Sequence, residues 1–214
     1  MQEKDLVRMS NPTLRRLPQY LREIKRLYAL GESTVSCTKL SEIIGVPPIS
    51  VRKDLEQAGL SGKPKTGYVI PEMITQLEAS LGLDSSRSAV LVGAGNLGCA
   101  LLGYQGFSAC AFDIVAAFDS DSSKADRECH GKKILPMRKL ENLIQRLGIK
   151  IAILTTPPEV AQEIADRLVS AGVIAIWNFS PTVIKAPEDV IVQNEHLTVS
   201  LSVLLSKVSK LLHE

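Results

Sequence analysis

The sequence predicts an α/β chain: a small helical N-terminal third, then a doubly wound parallel sheet, closed by a C-terminal helix. Three observations carry this. Apolar residues in the first third recur at helical spacing, with Gly and Pro marking the breaks. From Ala89 onward, short continuous apolar runs alternate with helical segments, as expected for strands buried on both faces of a parallel sheet. At the first of these runs stands VLVGAGNLGCALL, Val90 to Leu102, which is apolar, then Gly-rich, then apolar again at helical spacing.

The bulk properties narrow the classes. A chain of 214 residues, 45% hydrophobic and 22% charged, suits a globular protein of one large or two small domains. No apolar run approaches the roughly 18 residues that span a bilayer, and MQEKDLVRMSN has no apolar stretch to serve as a signal peptide. The expectation is a cytoplasmic protein. Cys37, Cys99, Cys110 and Cys129 form no C-x-x-C pair and no metal-ligand spacing with His, so no metal site is expected. Idle thiols are the plainer reading, and Cys99, beside the Gly-rich turn, is the best candidate for a thiol switch. Charge is uneven. Residues 1–70 hold 12 Lys+Arg against 7 Asp+Glu, and residues 71–214 hold 13 against 16. The first third therefore suits a polyanion and the remainder does not.

In order along the chain, Asn11-Pro12 reads as a helix start, with Asn as cap. Leu14, Leu17, Leu21, Ile24, Leu27 and Tyr28 supply the apolar stripe, and Gly31 the stop. A second helix fits Thr38 to Ile44, ended by Gly45, and a third runs from Pro47-Pro48 to about Ala58. Two short helices around a Gly-containing turn are a helix-turn-helix pattern, and the third helix presents Ser50, Arg52 and Lys53 in its N-terminal half, the part that meets base edges. SGKPKTGYVIP follows, with Tyr68-Val69-Ile70 as a short strand. The expectation is a small hairpin, or wing, with Lys63 and Lys65 on phosphate or in the minor groove. Pro71 to Leu81 is a further helix. The polar stretch GLDSSRS marks the boundary, giving a winged-helix domain at residues 1–83.

Beyond it, strands are expected at Ala89–Val92, Ile114–Phe118, Ile151–Leu154 and Val173–Trp177, with Ile191-Val192 as an edge strand. Helices are expected at Leu97–Gln105, Met137–Leu147 and Pro158–Ala171, completing a Rossmann-like domain at residues 84–193. Its first turn, Gly93, Ala94, Gly95, Asn96, Leu97, Gly98, fits G-x-G-x-x-G. The first Gly allows a sharp turn, the second a close approach of the backbone to a pyrophosphate, the third close packing of helix on strand. The phosphates then meet amides at a helix N-terminus, where the helix dipole favours negative charge. Asp119 ends the next strand 21 residues after Gly98, the place of a carboxylate that holds a ribose 2′-hydroxyl. No Arg follows it directly, so NAD(H) is preferred to NADP, although Lys124 and Arg127 lie further on. Residues 194–214 form the terminal helix, whose apolar positions 197, 201, 204, 208 and 211 make a heptad seam for its own core or, preferably, for a second subunit.

With these pieces in order, the chain resembles the Rex family of redox-sensing transcriptional repressors over nearly its whole length. TLRRLPQYLREIKRL is similar to that family's first helix, ISVRKDL to its recognition helix and SGKPKTGY to its wing. VGAGNLGCALLGYQGF, IVAAFDSD, IAILTTPPEVAQEIADRLVSAGV and IWNFSP continue the likeness in order, the first and last being far more specific than bare glycines. The resemblance implies a homodimer with exchanged C-terminal helices. It also implies binding to a palindromic, AT-rich operator when NAD⁺ prevails and release when NADH accumulates. It adds Tyr104, Thr155, Thr156, Pro157, Asn178 and Phe179 to the nucleotide site, and Arg15 and Arg16 to the DNA-binding side. In the family an acid at the start of the terminal helix joins a tyrosine, which looks like Tyr104, and an arginine, which looks like Arg15 or Arg16. Here His196 stands where that acid is common, and Cys99 where Arg is frequent.

Catalysis is not expected. The DNA-like third and the nucleotide sheet leave no residues for a substrate domain, and hydride-transfer enzymes need a positioned acid, base or electrophile. His130 and His213 lie in a polar loop and at the chain end, and nothing flanks Glu128-Cys129-His130 to orient a base. Two other classes remain as alternatives, a small NAD(P)-dependent oxidoreductase and a coenzyme A-binding regulatory protein. Asp119 argues against the second, because a carboxylate repels a ribose 3′-phosphate.

Overall fold

The computed structural model describes residues 9–64, 66–83 and 87–212, the side chains of residues 109, 110, 197 and 200 excepted. The chain divides into two compact units, Met1–Ser85 and Ser86–Glu214. Of the residues read above, 1–8, Lys65, Asp84, Ser85, Ser86 and His213 lie outside the described ones.

The first unit is built on α1 (Asn11–Ala29), whose stripe Leu17, Tyr20, Leu21, Ile24 and Leu27 is buried. Its cap is Ser10 rather than Asn11: the Ser10 hydroxyl accepts the Thr13 N–H, and Asn11 is the first helical residue. Strand β1 (Thr34–Val35) leads into α2 (Cys37–Ile44), closed by Gly45 at φ +73°, and then α3 (Pro48–Gln57). Val51 and Leu55 of α3 join the α1 stripe, Leu40 of α2, and Met73 and Leu77 of α4 (Ile70–Ser80) in one core. Fully burying each such side chain contributes about 1.5–3 kcal/mol.

The wing differs from the expected hairpin. β2 (Tyr68–Val69) is antiparallel to β1, upstream of the helix-turn-helix, and not to the segment just before it. Ile70 leaves the strand because Pro71 follows, and Pro has no N–H to continue a ladder. Lys63 and Gly67 pair with each other in an isolated antiparallel bridge, the Lys63 N–H donating to Gly67 O at 2.7 Å and the Gly67 N–H to Lys63 O at 2.9 Å.

The second unit holds β3 (Arg87–Val92), α5 (Asn96–Leu102), β4 (Phe112–Asp119), β5 (Glu128–Cys129), β6 (Lys132–Pro136), α6 (Leu140–Leu147), β7 (Ile151–Leu154), α7 (Pro158–Ser170), β8 (Ala175–Asn178), β9 (Ile191–Asn194) and α8 (Leu197–Leu212). The sheet order is β5-β6-β4-β3-β7-β8-β9, parallel throughout except for β5 against β6. Alternate residues of β3, β4 and β7 feed opposite cores. Val90 and Val92 join Phe118, Leu140, Ile144, Leu154, Ile164 and Leu168 under α6 and α7. Leu91 joins Ala94, Leu102, Ile114, Ala117 and Ile153 on the α5 face.

Three boundaries move for local reasons. α5 stops at Leu102, short of Gln105, because the backbone turns extended at Tyr104, φ −75° and ψ 109°, just past the Gly103 cap. A 3₁₀ turn takes over at Gln105–Cys110. Met137–Lys139 is likewise 3₁₀, and α6 begins at Leu140. β8 starts at Ala175, since Val173 closes the α7 terminus by donating to Leu168 O at 3.1 Å. Every α8 residue whose side chain is described is exposed, including Leu201, Leu204, Val208 and Leu211. Among the described residues no helix is long and apolar enough to cross a membrane.

Candidate functional site

The chain order reverses at β3: β4 and β6 lie to one side, β7, β8 and β9 to the other. Doubly wound sheets bind ligands in the crevice outside the carboxyl ends of the strands at such a switch point. Here that crevice is a cleft of about 780 Å³. It gathers Gly93, Gly95 and Leu97 from the Gly-rich turn, Asp119 from the end of β4, Thr155, Thr156 and Pro157 from the end of β7, and Phe179 from the end of β8.

The turn is shaped by close packing. Gly93 has φ +104°, and a Cβ there would lie 2.7 Å from Thr155 O. A Cβ on Gly98 would lie 2.0 Å from Gly93 O, so the α5 helix can sit this near β3 only with Gly at that place. Gly95 differs, because a Cβ there meets nothing within 4 Å. The protein itself makes no demand for Gly at that position, and it borders the cleft. The Thr155 hydroxyl donates to Gly93 O at 2.7 Å, tying the turn to β7. Gly95 is the N-cap of α5 without a side-chain cap, and with Leu97 it borders the cleft, so the positive helix end lies at the cleft's edge.

Asp119 is almost buried and densely bonded. Its Oδ2 accepts the Ala94 N–H at 2.9 Å and Lys124 Nζ at 2.9 Å, and its Oδ1 accepts the Asp121 N–H at 2.8 Å. The Asp119 carboxylate pushes the Lys124 ammonium pKa up and keeps it charged. Lys124 lines the same cleft, a role that chain spacing suggests only weakly. Arg167 and Glu163 of α7 and Met137 also line it, and sequence reasoning missed all three. The signal for the two α7 residues is one of face: Val160, Glu163, Ile164 and Arg167 repeat at helical spacing after Pro157-Pro158. Arg167 is already engaged, donating to Glu141 at 2.7 Å and to Met137 O at 3.1 Å.

Ala94, Asn96, Gly98, Tyr104 and Asn178 do not line the cleft. Ala94 serves through its N–H on Asp119, and Gly98 through packing. Asn178 is fully buried and shapes the loop bearing Phe179: its Oδ1 accepts the Ser180 N–H at 2.9 Å, and its Nδ2 donates to Thr182 O at 2.7 Å and Asn194 Oδ1 at 2.8 Å. Tyr104 is exposed beside a separate cavity of about 200 Å³ with His130, Asp113 and Lys132. A file of rings joins it to the cleft: Tyr104–Phe107 at 5.0 Å, Phe107–Trp177 at 5.8 Å and Trp177–Phe179 at 4.8 Å between centroids.

On the first unit, Arg52 of α3 and Lys63 of the wing turn line one groove of about 540 Å³, with Ser36, Glu56 and Tyr68. Arg52 Nε donates to Glu56 at 2.8 Å, an exposed i,i+4 pair. Lys53 and Arg15 are exposed and Ser50 half-buried, outside that groove. Arg16 is turned inward. It donates through Nε and Nη2 to both oxygens of buried Asp54, at 2.6 and 2.7 Å, while Thr13 and Tyr20 each donate to Asp54 at 2.8 Å. Burial pushes the Asp54 carboxyl up, but the hydrogen bonds from Arg16, Tyr20 and Thr13 outweigh it and hold its pKa below the usual value. The Asp54 network pins α3 to α1.

Comparison with known proteins matches residues 84–182 to the CoA binding domain family and residues 8–56 to a family described as putative DNA-binding protein N-terminus. The chain is 44% identical over 193 residues to the redox-sensing transcriptional repressor Rex of Treponema denticola, covering 90% of this chain and 92% of that one. It is 39% identical over 209 residues to the Rex protein of Bacteroides fragilis, covering 98% and 95%. Among solved structures, RSP in complex with β-NAD⁺ and operator DNA superposes with a TM-score of 0.89 at 36% identity, covering 94% of this chain and 93% of that one. RSP in complex with β-NADH gives 0.84 at 35%, covering 95% of each.

Proposed function

The chain belongs to the Rex family of redox-sensing transcriptional repressors, and from that premise we propose that it is a regulator rather than an enzyme, holding operator DNA with NAD⁺ and releasing it with NADH. The observation that carries this reading is the position of Asp119. It ends β4 at the sheet's switch point, with its oxygens bonded to the turn that receives the pyrophosphate. The site binds and orients: the α5 N-terminus takes the phosphates, Asp119 and Lys124 the adenosine ribose, and Phe179 with Pro181 the nicotinamide side. The hydroxyls of Thr155 and Thr156 are committed to Gly93 O and Ser180 Oγ, so neither threonine is poised for hydride chemistry. Operator contact falls to Arg52 and Lys53 for base edges, with Lys63 and Lys65 on phosphate and Arg15 and Ser50 beside them. Arg16 contributes through Asp54.

The exposed apolar side chains of α8 suit a homodimer formed through this helix, acting in the cytoplasm on a palindromic, AT-rich operator. Two nucleotide sites then bias one DNA-binding geometry. A ligand shifts such an equilibrium only by its differential affinity for the two states. With about 1–3 kcal/mol of coupling per site, the combined effect reaches 100-fold or more in operator affinity. The test is an operator titration with NAD⁺ and NADH in separate series. NADH must weaken operator binding, and operator must weaken NADH by the same factor. Operator affinity unchanged at saturating NADH refutes the reading.

A second reading, coenzyme A as ligand, has the family match over residues 84–182 in its favour. Asp119 opposes it, since its carboxylate faces the place of the ribose and repels a 3′-phosphate. Coenzyme A that fails to displace NADH in a competition titration settles between the two.

A further inference from the structure

We propose that Cys99 and Cys129 are a dithiol that closes to a disulfide on mild oxidation and so gives the nucleotide turn a second redox input. The Cys129 thiol, on β5, lies 3.9 Å from the backbone carbonyl oxygen of Cys99, on α5. Both side chains pack against one apolar cluster with Leu91, Leu102 and Ile134, and both are partly accessible. The Cys99 thiol is also 3.8 Å from Ala94 O, inside the Gly93–Gly98 turn, and the Ala94 N–H is the one that Asp119 binds. A bond between the sulfurs therefore ties the β5–β6 edge of the sheet to the first turn of α5, and through Ala94 to the ribose carboxylate. Cys37 lies in the other unit, against the Tyr68 hydroxyl at 3.7 Å, and has no part in this pair.

The chemistry needs an oxidant, and a small-molecule disulfide such as oxidised glutathione supplies it. Burial and the hydrogen bond with Cys99 push the Cys129 thiol up to about 11, which makes it the poorer attacking group and the natural resolving thiol. Cys99, as thiolate, attacks one glutathione sulfur, breaks its S–S bond and expels a glutathione thiolate. Cys129 then gives up its proton and attacks the Cys99 sulfur, expelling the second glutathione thiolate. Two protein thiols lose two electrons and two protons, and one small disulfide becomes two thiols.

Formation of the bond stands apart from the nucleotide; its effect on NADH rests on the reading above. The full-length protein is incubated with oxidised glutathione, alkylated under denaturing conditions and mapped by mass spectrometry, and NADH affinity is measured before and after. We expect a peptide linking Cys99 to Cys129, reversed by dithiothreitol and lost in Cys99→Ser and Cys129→Ser. NADH affinity should change about fivefold or more on oxidation of the wild type and not on the same treatment of Cys99→Ser, which lacks the attacking thiol. A mixed disulfide without the cross-link, or a cross-link to Cys37 or Cys110, overturns the site. A cross-link that leaves NADH affinity unchanged overturns its regulatory role. A reduced protein that binds no NADH at all refutes the nucleotide reading and leaves the cross-link standing.

Discussion

Lys124 Nζ lies 2.9 Å from Asp119 Oδ2, the same oxygen that accepts the Ala94 N–H. One carboxylate thus holds the nucleotide turn, a cation and, in the proposed complex, a ribose. Removing it releases all three. Asp119→Ala should weaken NADH at least tenfold, since losing a charge-assisted hydrogen bond costs about 1.5–3 kcal/mol. It also leaves Lys124 unpaired beside the 2′ position, so the preference for NADH over NADPH should shrink or invert. In Asp119→Ala, Lys124→Ala, NADH stays weak and NADPH gains nothing. Calorimetry with both nucleotides checks this, and NADH affinity unchanged in Asp119→Ala sinks the ribose assignment.

The turn glycines separate fold from ligand. Gly98→Ala drives a Cβ to within 2.0 Å of Gly93 O, a backbone atom that cannot step aside. Overpacking of this kind costs about 1–3 kcal/mol, and both melting temperature and NADH affinity should fall. Gly95→Ala meets nothing within 4 Å. Its stability should stay within about 0.5 kcal/mol of the parent, while NADH binds more weakly. Gly95→Ala with unaltered NADH affinity rules out a close backbone approach by the pyrophosphate.

Much of this arrangement is legible in the chain and some is not. The cores of β3, β4, β7 and β8 are apolar runs, and burial on both faces requires such runs. The pairs Thr34–Val35 and Glu128–Cys129 are two residues each, too short for any period, and exist only through their partners. Asp54 reads as one more charge in ISVRKDL, yet it is buried. Its signal lies on another helix: Thr13, Arg16 and Tyr20 stand at i, i+3 and i+7 of α1, three donors on the face that carries Leu17 and Leu21. Asn178, which the motif NFSP suggests as a ligand contact, spends its amide on Ser180, Thr182 and Asn194, because a buried amide must be bonded.

Asp54 makes the first unit sensitive to acid. Its folded pKa is depressed, so the stability it contributes is fully present above its unfolded value, about 4, and is lost as pH falls through the folded one. Melting followed from pH 7 to pH 2.5 should show this loss in the wild type and less of it in Asp54→Asn. At pH 7, Asp54→Ala leaves the Tyr20 hydroxyl buried and Arg16 unpaired. It should destabilise the first unit by about 3 kcal/mol, the low end for breaking a buried pair, because Arg16 is partly exposed. A loss below about 0.5 kcal/mol contradicts the network's structural role.

The groove between α3 and the wing turn sets the DNA prediction. If Arg52 reads a base, Arg52→Ala should lose about 1–3 kcal/mol and discriminate less between operators. Lys63→Ala should weaken binding on all sequences and flatten the salt slope by roughly one counterion. Arg52 is held by Glu56 at 2.8 Å, so it must trade that partner for DNA. Glu56→Gln should therefore bind operator at least as tightly as wild type. Undiminished binding by Arg52→Ala, Lys53→Ala removes α3 from the interface.

The last prediction concerns α8. Leu201, Leu204, Val208 and Leu211 follow the spacing of a heptad seam, and each is between 41% and 74% exposed in the single chain. An apolar stripe of this length left in water marks an interaction surface. If a second copy covers it, Leu204→Glu, Val208→Glu should yield monomers by sedimentation at concentrations where the wild type is dimeric. The sheet unit should remain folded and still bind NADH, because these side chains lie outside both of its cores. Operator affinity should collapse toward the nonspecific level, since a palindrome is read tightly only when two recognition helices are held at one spacing. The order of these losses separates two cases. Monomers that retain NADH but lose operator place α8 at the subunit interface. A variant that stays dimeric and binds operator normally shows that the subunits join elsewhere.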